Sequence, residues 1–147
     1  MSHPSWLSRR GDAGQVTVFV VIFMIALIGL AGLVIDGGVA LAARRRAIDE
    51  AQAAARAGAE ALDEAVYRSS GARQIDQDGA RANVASYMSL ADPSAVYRVT
   101  FAAQDRVEVD EHFDQKLNIL GVFGFGSITA SGHGSARTVH GITQENG

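Results

Sequence analysis

The 147 residues are enough for one small domain plus a membrane segment, but not for two domains and an anchor. The net charge of −3 conceals an asymmetry: residues 1–46 carry Arg9, Arg10, Arg44, Arg45 and Arg46 against Asp12 and Asp36, while the rest of the chain is acidic. No basic face could neutralise several phosphates, which argues against nucleic acid as a partner, and the lack of cysteine excludes disulfides, thiolate catalysis and cysteine metal sites.

Residues 13–35 contain no charge, and the strongly apolar part is 16-VTVFVVIFMIALIGLAGLVI-35. As a helix, twenty residues span about 30 Å, the thickness of a bilayer hydrocarbon core. A secretory signal would have an apolar region of only about 7–15 residues before its cleavage site. The A-x-A pattern Ala40-Leu41-Ala42 comes too late for that, beyond Asp36 and two glycines. A buried core helix would need more apolar chain around it than this sequence supplies. The reading is a leader over residues 1–14 and a transmembrane helix over 15–36. Arg9 and Arg10 flank one end and the Arg44–Arg46 triplet the other, so charge counting leaves the topology undecided. Asp36 either marks the lipid–water boundary or pairs with an arginine there, and Gly37-Gly38 are expected to loosen the helix into a hinge.

From residue 39 to 68 the sequence reads as a long Ala-rich helix. Ile48, Ala51, Ala55, Gly58, Leu62 and Ala65 recur at alternating spacings of three and four, a seam of mostly small side chains. Arg45/Asp49, Arg46/Glu50 and Arg56/Glu60 stand four apart, where opposite charges support a helix. The seam either packs on the chain's own domain or admits close approach of partner helices. Ser69-Ser70-Gly71 ends this element. A second helix is expected over 79–90, with Asp78 as N-cap, Val84, Tyr87 and Met88 on one face, and Asp92-Pro93 as its stop.

The period then changes to two. Strands are expected over 95–103, 106–113 and 128–139, the first two joined by a hairpin at Gln104-Asp105. The segment 117-LNILGVFGFGS-127 reads as a loop or short helical turn, and 140–147 as a tail. The expected fold class is α+β. A transmembrane helix continues into the Ala-rich helix, which packs on an antiparallel sheet of about three strands, and residues 37–147 form the domain.

Little in the sequence promises chemistry. Asp110, Glu111, His112 and Asp114 are the dense group of possible metal ligands, but strand alternation sends Glu111 to the face opposite Asp110 and His112. His3, His112, His133 and His140 lack zinc-site spacing. The glycines at 121, 124, 126, 132 and 134 precede or lie within a strand rather than opening a helix, so they suit bends and close packing on the long helix better than a phosphate loop. The expectation is no catalytic, cofactor or metal site, no cofactor, no small-molecule substrate, and a protein that is not an enzyme.

Three stretches carry a resemblance: 9-RRGDAGQVTVFVV with the apolar helix ending 29-GLAGLVIDGG, then 43-ARRRAIDEAQAAARAGAEAL-62, then 120-LGVFGFGSITASGHGSAR-137. Together they resemble the TadE/TadG-like proteins of the tight-adherence (Flp) pilus-assembly system. The resemblance implies a pilin-like or pseudopilin-like single-pass component of a pilus or secretion apparatus, in the cell membrane, with a cytoplasmic N-terminus and an extracytoplasmic domain. Its implied partners are the lipid membrane and other Tad components, reached through helix packing. It also implies leader processing after Gly11 or Gly14, although Val16 or Phe19 stands where such peptidase substrates often carry glutamate. The competing class is a membrane-anchored extracytoplasmic binding or sensor module.

Overall fold

The computed structural model describes residues 10–124 and 126–138, so the expected tail over 140–147 and most of the expected leader lie outside the described residues. A single helix, α1 (Arg10–Ala59, 50 residues), carries the chain through the apolar run and on into the Ala-rich segment. It is long and apolar enough to cross a membrane. Its large side chains between Val16 and Ile35 are exposed, Phe19 and Val34 at 69 % each, as a lipid-facing surface requires.

Two expectations about this helix are corrected. It was expected to loosen at Gly37-Gly38, yet α1 is uninterrupted there. Each glycine costs a helix about 1 kcal/mol relative to alanine, too little to break one that continues on both sides. It was also expected to reach residue 68, yet α1 ends at Ala59 and a separate helix, α2 (Glu64–Ser70), follows. Between them the chain turns to pair antiparallel with 74–76: Asp63 N–H donates to Gln74 C=O at 2.8 Å and Asp76 N–H to Ala61 C=O at 3.0 Å, around a Leu62–Ile75 bridge. Asp63 then caps α2 by accepting from the Ala65 and Val66 N–H groups, and Gly71 closes it in the left-handed region at φ 69°.

The helix expected over 79–90 is α3 (Gln77–Ala91). Its cap is Asp76 rather than Asp78, because the Asp76 carboxylate accepts the Asp78 N–H. Val84 and Met88 are buried as expected, with Tyr87 packed beside them. The three strands are β1 (Val96–Ala103), β2 (Arg106–Lys116) and β3 (Ser127–Arg137), an antiparallel meander in the order β1-β2-β3. Val107, Val109, Glu111 and Phe113 of β2 face the helices, while Asp110 and His112 face away.

What joins α1 to the sheet is the absence of side chains. A Cβ added to Gly132 would lie 2.2 Å from the Ala47 carbonyl, and one added to Gly134 would lie 2.2 Å from that of Ala51. On either side Ala43 and Ala130 share one buried cluster, and Ala136 packs against the cluster holding Ala55. Four helical residues advance about 6 Å and two strand residues about 6.7 Å, so residues 43, 47, 51 and 55 keep near-register with 130, 132, 134 and 136. The expected seam is revised accordingly. Ala51, Ala55 and Gly58 are buried, but Ile48 is 38 % exposed, Leu62 lies beyond α1, and Ala65 is an exposed residue of α2. The seam is therefore filled by the chain's own sheet and is not open to partner helices. A crossing strand follows the i, i+4 row of the helix rather than the alternating three-four pattern of a coiled-coil seam.

Candidate functional site at the membrane exit

A polar contact of long sequence range sits where α1 leaves its apolar run. Asp36, 1 % exposed, aims its carboxylate at the segment after β2. There Oδ1 accepts the Asn118 N–H at 2.9 Å, and Oδ2 accepts the N–H groups of Ile119 at 3.0 Å and Leu120 at 2.6 Å. These donors lead into a short 3-10 helix, η1 (Leu120–Phe123), whose own N-cap residue, Ile119, offers no side-chain cap. Asp36 thus caps from 82 to 84 residues away in sequence. Converging N–H groups favour an anion, and hydrogen bonds to a charged acceptor are the stronger kind. Backbone N–H groups take the place of the arginine expected as a partner, and at the end of the apolar run Asp36 also clamps a remote segment.

One turn earlier, buried Gly32 leaves room for Ile119, whose Cγ2 would lie 2.6 Å from a Cβ there. Gly37 and Gly38 have no atom within 4 Å of an added Cβ, so they mediate no close approach. Gly11 and Gly14, the expected processing positions, both lie within α1.

A second group of charges lies between α1 and the sheet. Arg46 Nε donates to Glu50 Oε1 at 2.7 Å, its Nη2 reaches Asp92 Oδ2 at 3.2 Å, and its guanidinium lies over the Phe113 ring, 5.3 Å from the centroid. Of the three ion pairs expected along the helix, Arg46–Glu50 is formed. Glu111, 1 % exposed, has neither carboxyl oxygen hydrogen-bonded, and Glu50 Oε2 is also without a partner. Burial first, and then the neighbouring Glu50, push the Glu111 carboxyl up to about 7, with Arg46 opposing. Asp92 is held below the usual carboxylate range, first by the Ser94 hydroxyl and then, against burial, by the Ser94 N–H and Arg46. The other candidate ligands are used separately: Asp110 pairs with His133 Nδ1 at 2.8 Å, and Asp114 accepts the Thr129 hydroxyl at 2.8 Å.

Sequence reasoning missed the partner of Asp36, the burial of Glu111 and the role of Gly32. A signal existed for Glu111, whose place between Val109 and Phe113 in the inward alternation marks it as buried. None existed for Asp36, because the donors it meets are backbone groups.

Residues 14–66 match the model of a family described as Tad, putative Flp pilus-assembly TadE/G-like. The match runs from the apolar start of α1, through Asp36 and the alanines that meet β3, into α2. Neither the curated proteins nor the solved structures gave a match. Over residues 14–66, across the helix that is both candidate span and domain spine, this chain is similar to the TadE/G-like Flp pilus-assembly family.

Proposed function

We propose that this chain is a structural, pseudopilin-like component of a Tad/Flp-type pilus assembly or secretion apparatus, and that it works by contact with other components rather than by catalysis. In this reading it crosses the cell membrane once, with a cytoplasmic N-terminus and residues 37–147 outside. The observation that carries it is the family match falling on an uninterrupted helix that is both candidate span and domain spine. Because the small-residue seam is filled by β3, partners are expected on the exposed positions of α1 outside that seam, where Leu41 is 65 % and Ile48 38 % exposed. A photo-crosslinking residue at Leu41 or Ile48 should capture another membrane component of the apparatus, and deleting the gene should abolish piliation. Cells that remain fully piliated after deletion would contradict the proposal.

A second reading, a membrane-anchored binding module, draws on an open cleft of about 520 Å³ at the far end of α1, lined in part by Arg56, Glu60, Tyr67, Arg73 and Arg137. A ligand that raises the domain's melting temperature in saturable fashion, and loses that effect in Arg137→Ala, would favour it.

A further inference from the structure

We infer that the segment after β2, residues 117–124, is a second membrane contact: an apolar foot that enters the lipid beside the point where α1 emerges. This rests on α1 spanning the membrane, and it assigns the domain a surface that the family match, ending at residue 66, does not reach.

Four observations converge on it. The sequence 117-LNILGVFGFGSITA-130 contains no charged residue. Asp36 fastens the start of this segment to the last turn of the span through the N–H groups of Asn118, Ile119 and Leu120. From there Ile119 reaches back against Gly32, about 6 Å further into the apolar run of α1, a depth typical of interfacial segments. In the same segment Val122 is 84 % exposed, leaving an aliphatic side chain free to meet lipid.

Backbone at membrane depth is tolerated when its polar groups are satisfied within the protein. Here six of its N–H groups are paired: Leu117 to Gly126 C=O at 3.2 Å, Asn118, Ile119 and Leu120 to Asp36, Val122 to Ile119 C=O at 3.1 Å, and Gly124 to Gly121 C=O at 3.2 Å. The Asp36 carboxylate thus supplies acceptors for three N–H groups that would otherwise need water at the membrane surface. The occupant of this face is the acyl and glycerol region of the bilayer. With no charge on the foot, neither anionic headgroups nor low salt is required for contact.

The absence of cysteine permits a direct test on the full chain. Val122→Cys, Ile28→Cys and Leu90→Cys, at positions 84 %, 58 % and 85 % exposed, would each carry a nitroxide in phosphatidylcholine vesicles, with collisions measured for oxygen and for a water-soluble nickel chelate. The oxygen-to-nickel collision ratio at Val122 should rise toward that at Ile28, which lies about 12 Å deeper than Asp36 in the span, without reaching it. It should also be several-fold above that at Leu90 and unchanged by salt. If Val122 reads as aqueous as Leu90 while Ile28 reads as lipid, the foot is refuted and the anchor stands. Protection of Val122 from both reagents would mean a protein neighbour covers it, which also overturns the inference. An aqueous Ile28 would remove the span, and the foot with it.

Discussion

Substituting Gly134 by alanine should weaken the domain more than its single methyl group suggests. The added Cβ would lie 2.2 Å from the carbonyl carbon and oxygen of Ala51 and 2.4 Å from Gln52 N, where ordinary contact begins near 3.4 Å. The obstructing atoms are backbone on both sides, so no rotamer change can relieve the clash, and β3 must move off α1 by more than 1 Å. A gap of that size forfeits a quarter to a half of the dispersion attraction of the lining atoms, here the packing of Ala47, Ala51 and Ala55. Overpacking of this kind costs roughly 1–3 kcal/mol, and the rigidity of the contact places Gly134→Ala near about 3 kcal/mol. For a small domain that amounts to a fall in melting temperature of about 12–24 °C. Gly121→Ala and Gly126→Ala, which meet nothing within 4 Å, serve as controls and should move it little. The assay is thermal unfolding of the full chain in detergent, followed by near-ultraviolet dichroism of the domain's tyrosines so that the persistent membrane helix does not mask the transition. A Gly134→Ala melt within about 3 °C of the parent would refute the close helix–strand contact.

Three further outcomes follow from the same contacts. Asp36→Ala should speed hydrogen exchange at the Asn118, Ile119 and Leu120 amides by about tenfold or more, with Asp36→Asn intermediate, while the β2 amides stay protected; equal exchange in all three proteins would deny the clamp. Glu111, its carboxyl raised from 4.5 to about 7, binds its proton more tightly folded than unfolded, so its favourable contribution is complete below about pH 4.5 and is lost as the pH rises through 7. Glu111→Gln should therefore flatten that part of the pH–stability curve and raise the melting temperature by a few degrees above pH 7, whereas an unchanged slope would count against the buried carboxyl. Replacing both Gly37 and Gly38 by alanine should stabilise α1 by about 1–2 kcal/mol in total, since neither Cβ meets an atom within 4 Å. Loss of piliation in that stabilised protein would restore a working hinge, and unaltered piliation would dismiss it.

The elements that were legible in the sequence are those with a strong period or a dedicated cap. The apolar run, the alternation of Val107, Val109 and Phe113, and the Val84–Met88 face each identify one local structure. Boundaries failed where the deciding contact is remote. The end of α1 at Ala59 depends on pairing between 61–63 and 74–76, and no proline marks it. Small residues surround the helix, so periodicity alone cannot say which row meets the strand. The glycines of β3 answer that, since Gly132 and Gly134 face Ala47 and Ala51. At the membrane exit the sequence revealed an acid and two glycines but not the backbone donors folding back from 118–120.

The proposed arrangement has one helix rooting an extracytoplasmic domain in the membrane, and the side on which that domain lies tests it most directly. Leu90→Cys, at the exposed end of α3, can be offered to a membrane-impermeant maleimide on intact cells with the outer layers made permeable. The account predicts labelling of Leu90→Cys before the inner membrane is broken. Labelling only after lysis of that membrane would place the domain in the cytoplasm and contradict the account.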